Sequence, residues 1–174
     1  MLHLPVLRAG RPYRSLETVT LRHIKTGQAV AEVSLANRGL IARDLTRRAN
    51  HREALQRVPV SGLLDACRKA AVLFADGEVP VDPIDGVMQT PDDYVRMQSA
   101  TTGMPQSMCR ANMEKIRFVL DEMETVLGGL TRGLDLSVLD RGWADSGGRP
   151  VSYLAEADVL GAVLPSNSPG VHSL

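Results

Sequence analysis

At 174 residues the chain is long enough for one domain, or for one and part of another, and a hydrophobic fraction of 44% suffices for a core. Only 3% of the residues are aromatic, so packing has to rest on Leu, Val, Ala and Met. Twenty basic residues balance 20 acidic ones, and that zero net charge argues against a general nucleic-acid or anionic-membrane surface.

The N-terminus is apolar but broken by Pro5 and followed by Arg8, Arg11 and Arg14, unlike a signal peptide. No apolar run approaches membrane-spanning length. Residues 18–24 then have strand character, with Val19, Leu21 and His23 on one face. Residues 25–28 (Lys-Thr-Gly-Gln) are a turn signal, and residues 29–33 read as the return strand of a hairpin.

A helix is predicted over residues 37–57, capped by Asn37 and stopped by Pro59. Arg38, Arg43, Arg47, Arg48, Arg52 and Arg57 spread round it among Asp44 and Glu53. They read as a solvated face, a phosphate-binding surface being the lesser alternative. Ser61 is the expected cap of a second helix carrying Leu63, Leu64, Cys67, Ala70, Ala71 and Phe74, which ends at Asp76-Gly77. Residues 79–89 read as a loop.

Thr90-Pro91-Asp92-Asp93 is a strong helix start, with a threonine cap, proline in the first turn and an acid three residues on. That helix ends near Gly103, and Pro105 opens a fourth. Its apolar stripe is Met113, Ile116, Leu120, Met123, Leu127 and Leu130, widened by Val119 and Val126, with Gly128-Gly129 at its end. The stripe reads as core, partly exposed if a partner domain is missing. A Gly-rich loop over residues 145–148, a strand over 151–154 and an apolar strand over 159–164 complete the order. Hairpin, several helices and two strands together indicate α/β or α+β.

Cys67 and Cys109 lie far apart, with neither metal-ligand nor redox spacing, which predicts two free thiols in a reducing cytoplasm. His3, His23, His51 and His172 form no i,i+4 pair, so no metal site is expected. The apolar run 159–164 leads into Pro165-Ser166-Asn167-Ser168-Pro169. Two prolines fix φ and remove backbone donors, holding the Asn167 amide on a stiff loop where it is a good donor to a developing oxyanion. The alternative is a turn asparagine chosen for local backbone bonding. The chain ends five residues after Pro169, which reads as the front end of something longer.

This element order, together with residues 153–169, resembles the N-terminal part of the aldehyde dehydrogenase superfamily. The resemblance is specific in about the last 20 residues and rests on element order elsewhere. It implies an α/β fold comprising the N-terminal hairpin and helical part of that family, truncated before most of the dinucleotide-binding sheet. Residues 1–34 would be the hairpin segment and 35–131 the helical part of the cofactor-binding domain. Residues 132–158 would be an oligomerisation-type strand segment, and 159–174 the first strand and motif of the active-site cleft.

By the same resemblance Asn167 is the catalytic oxyanion donor to a cysteine thiohemiacetal, and Leu164, Pro165 and Ser166 line the NAD or NADP site. The substrate would be a small-molecule aldehyde. The partners would be the missing C-terminal part, which carries the nucleophilic cysteine, and further copies in a homo-oligomer. No nucleic acid and no membrane span are expected, and this piece alone would be inactive. Ser166 and Ser168 stand where aldehyde-oxidising members carry bulky aromatic residues, which favours the acyl-CoA and other acyl-thioester reductases as the alternative. The remaining reading is a non-catalytic helical interaction module.

Overall fold

The computed structural model of the chain describes residues 1–162. The fold is mixed α/β, with seven helices and four small sheets among the described residues.

Five strands occupy the first 34 residues: β1 (Leu2–Leu4), β2 (Val6–Arg8), β3 (Arg11–Tyr13), β4 (Thr18–Arg22) and β5 (Ala29–Ser34). The expected hairpin is β4–β5, antiparallel, with Gly27 at φ +71° in its turn. Its first strand stops at Arg22 rather than at Ile24, because the His23 ring accepts the amides of Lys25 and Thr26 at 3.2 and 3.4 Å and belongs to the turn. The N-terminus, for which no element was expected, pairs β1 parallel to β5, giving the sheet order β1-β5-β4. β2 and β3 form a tight hairpin whose turn residues Ala9 and Gly10 both have positive φ, as a two-residue loop of the primed type requires.

The helix expected over residues 37–57 is two helices, α1 (Arg38–Leu45) and α2 (Arg48–Gln56). Asn37 caps α1 as expected, its Oδ1 accepting the Leu40 amide at 3.0 Å. The break falls at Thr46-Arg47, where the ladder tightens: the Thr46 amide donates to Arg43 O, the Arg47 amide to Asp44 O, and the Thr46 hydroxyl also donates to Arg43 O. α3 (Val60–Asp76) begins one residue before Ser61, with Pro59 as its N-cap. Ser61 is therefore not the cap; instead Asp140, 80 residues on, accepts the Val60 amide at 2.9 Å.

Residues 79–89 are a third hairpin rather than a loop, β6 (Val79–Asp82) paired with β7 (Val87–Gln89) around Gly86 at φ +69°. α4 (Pro91–Thr102) has the predicted start, a complete capping box between Thr90 and Asp93, and ends on left-handed Gly103. The fourth predicted helix divides at Glu122 into α5 (Gln106–Asp121) and α6 (Met123–Leu130). Gly128 and Gly129 lie inside α6, which closes at Thr131: the Thr131 hydroxyl donates to Leu127 O, and the Gly133 amide to Gly128 O. α3, α4 and α5 pack together over Val95, Cys109 and Met113, joined by Phe74, Tyr94 and Met104. Phe74 meets Tyr94 edge-on with ring centres 5.2 Å apart.

α7 (Val138–Arg141) leads into the hairpin of β8 (Trp143–Asp145) and β9 (Pro150–Ser152). The predicted Gly-rich loop is its tip, where Asp145 accepts the Gly148 amide at 2.7 Å. The strand expected over 151–154 is thus β9, shifted to Pro150–Ser152. The strand expected over 159–164 is not seen in its described part: residues 159–162 pair with nothing and are exposed. None of the four sheets among the described residues includes this segment.

Candidate functional site

The residues assigned to the site by sequence, Leu164, Pro165, Ser166 and Asn167, lie outside the described residues. The structure does describe the segment that leads to them. After β9 the Tyr153 amide donates to Gly142 O, and the chain then runs without regular structure to Asp158. The Asp158 carboxylate accepts from Arg52 of α2 and lies 3.8 Å from the Arg48 Nε. Beyond this anchor Val159 and Leu160 face solvent, Leu160 at 94% exposure. The approach to the motif is therefore held by charge on α2, with its apolar side chains unpacked.

The described residues contain one arrangement with the outline of a hydrolytic triad. His3 Nε2 lies 2.8 Å from Ser34 Oγ, and His3 Nδ1 lies 3.6 Å from Glu32. Register alone produces it: His3 is opposite Glu32 in the parallel β1–β5 pair, and Ser34 is two residues further on the same face. The hydroxyl is 5% exposed and already accepts the Ser15 amide at 3.0 Å. A nucleophile needs an open approach and a donor set for the oxyanion, and neither accompanies Ser34, so the group is a structural strap.

The cysteines behave as packing residues. Burial pushes the Cys109 thiol up, which keeps it protonated and unreactive in the core among Val95 and Met113. Cys67 is half-buried and free. Among the described residues no three His, Cys, Asp or Glu side chains come together in a metal-holding group, and no helix is long and apolar enough to cross a membrane.

A cleft of about 380 Å³ opens between the three-stranded sheet, the β6–β7 hairpin and α4, walled by Leu2, Val30, Val81, Val87 and Met97. Its charged lining residues, Asp93 and Arg96, pair with each other. Such a wall offers shape and apolar contact, with Gln89 as its one neutral polar side chain. Two features had no signal in the sequence: the fully buried Asp82, held by Arg14, and the Gln98 amide, whose Oε1 and Nε2 are buried without a partner. Both depend on residues brought together from distant elements.

Neither a scan against protein-family models nor a search of curated proteins finds a match to this chain.

Proposed function

We propose that the chain is the N-terminal part of an NAD(P)-dependent oxidoreductase of the aldehyde dehydrogenase type, with Asn167 as the oxyanion donor. The observation that carries the reading is the sequence of residues 159–169, an apolar run ending in Pro165-Ser166-Asn167-Ser168-Pro169. An amide fixed between two prolines needs no reorganisation as charge develops on a thiohemiacetal oxygen, and a preorganised donor is worth most for that reason. On this reading the nucleophilic cysteine, the phosphate-binding loop and the general base would lie in a C-terminal part of the enzyme. Leu164, Pro165 and Ser166 would line the nicotinamide side of the cofactor cleft.

The uncovered apolar surface supports the reading. Phe118 and Leu130 are 64% and 71% exposed on α5 and α6, and Leu154 and Leu160 are exposed near the motif. Packing against further protein would cover them. Ser166 and Ser168 favour, within this class, reduction of an acyl thioester to an aldehyde. Small side chains beside Asn167 would leave room for a bulkier thioester. The test is steady-state assay of the product of the natural locus with NADH or NADPH, comparing an aldehyde with an acyl-CoA. Nicotinamide-dependent turnover of either substrate supports the class, and the preferred one selects the branch. Activity with neither overturns both.

A further inference from the structure

The zero net charge conceals a strong asymmetry. Residues 1–57 contain eleven Arg and Lys against four Asp and Glu, a net of +7, whereas residues 58–174 contain nine against sixteen, a net of −7. Most of the N-terminal cations are engaged. Arg14 holds Asp82 and Asp85, Arg48 and Arg52 hold Asp158, Arg57 holds Glu53, and Arg22 donates to the Gly27 carbonyl. Arg11 and Arg47 have no ion pair among the described residues. Both line one cleft of about 490 Å³ between the β2–β3 hairpin and the α1–α2 junction.

Arg8 forms the wall that these two share. Its Nε and Nη2 fork onto Asp44 at 2.8 and 2.6 Å, and its guanidinium carbon lies 4.8 Å from the centre of the Tyr13 ring. Asp44 is the one acid of the lining. The hydrogen bond from Arg8 holds its carboxyl below the usual range, burial opposes this, and the charges of Arg8 and Arg47 add to the pull. With Asp44 ionised, three arginines against one carboxylate leave the cleft at +2. Arg47 also precedes α2, whose first turn takes no side-chain cap, so the helix dipole adds to the positive potential.

We propose that this cleft binds a phosphate-bearing small molecule, with Arg11 and Arg47 gripping the phosphate and Arg8 fixed between them as a preformed wall. Two unengaged guanidinium forks at one concave place match a phosphate or diphosphate, which they can grip bidentately. The volume is in the range of a small-molecule site. A nucleic acid would need an extended track of free cations, and of the neighbouring arginines Arg14, Arg48, Arg52 and Arg57 are already paired. The proposal stands independently of the aldehyde reading.

The test is calorimetric titration of the full chain with inorganic pyrophosphate and then with ADP, at physiological salt. Saturable binding is expected, weakened about tenfold or more by Arg11→Glu with Arg47→Glu and by no more than about twofold by Arg149→Glu on the distant β8–β9 turn. Circular dichroism of each variant reports folding. If the double variant unfolds, amide NMR of the unmutated chain decides: shifts on adding pyrophosphate must centre on Ala9, Gly10, Arg11 and Arg47. Overturning results are no binding, equal weakening by Arg149→Glu, amide shifts centred elsewhere, or tighter binding of a single-stranded oligonucleotide than of pyrophosphate.

Discussion

Arg14 Nη2 lies 2.6 Å from Asp82 Oδ2, joining the segment after β3 to the β6–β7 hairpin 68 residues further along the chain. Asp82 is 1% exposed, whereas the Arg14 side chain is about one-third exposed and also reaches Asp85 at 2.5 Å. Removing one partner of a buried ion pair leaves the other charge without compensation. Arg14→Ala should therefore lower Tm by roughly 5–10 °C, and Asp85→Ala much less, as measured by circular dichroism melts. Equal effects would show that the bond to Asp82 carries no special weight.

Four carboxylates titrate below their usual range in the folded chain. Burial opposes ionisation of Asp82, but hydrogen bonds from Arg14 and from the amides of Asp85 and Ile84 outweigh it. Asp44 is held down chiefly by Arg8, Asp93 by Thr90 and Asp135 by Ser137. A depressed folded pKa gives stability that is present above the unfolded value, about 3.9 for Asp, and is lost as pH falls through the folded value. The urea midpoint should stay level above that value and drop steeply below it. Asp82→Asn should reduce the slope of that acid limb.

The Thr90–Asp93 capping box satisfies two of the first-turn donors of α4. Thr90→Ala should cost about 1 kcal/mol, and Thr90→Ser only a small part of that. Chemical denaturation of the two variants beside the unmutated chain measures the difference.

Gln98 sits beside Val95 on the buried face of α4, with both amide atoms unpartnered among the described residues. A buried polar group without a hydrogen bond is destabilising, and Met has nearly the same shape. Gln98→Met should raise stability by about 1 kcal/mol, read from the denaturation midpoint. A loss of stability would mean that the amide makes hydrogen bonds in the folded chain.

The features legible in the sequence are those with local chemistry. Asn37, Thr90-Pro91-Asp93, Gly77 and Gly103 mark helix ends through bonds to residues three or four positions away. The β4–β5 hairpin was readable for the same reason. β1 was not, because its partners in β5 lie 29 residues away and three-residue strands have no periodicity to detect. The breaks at Thr46-Arg47 and Glu122 were hidden because side-chain patterning runs on across them while the backbone ladder changes. Of the candidate site, the motif around Asn167 is legible as a string of residues, with a chemical rationale but no geometry. The basic cleft was not legible, since Arg11 and Arg47 are brought together only when the β2–β3 hairpin packs against the α1–α2 junction.

The most direct measurement is the turnover of Asn167→Ala, in the polypeptide expressed from its natural locus, with NAD(P)H and an aldehyde or acyl-CoA under conditions where chemistry limits the rate. An oxyanion donor at Asn167 predicts a fall in kcat of roughly two orders of magnitude or more, with substrate KM little changed. Unchanged kcat in a folded variant, or absence of nicotinamide-dependent turnover in the unmutated protein, would contradict it.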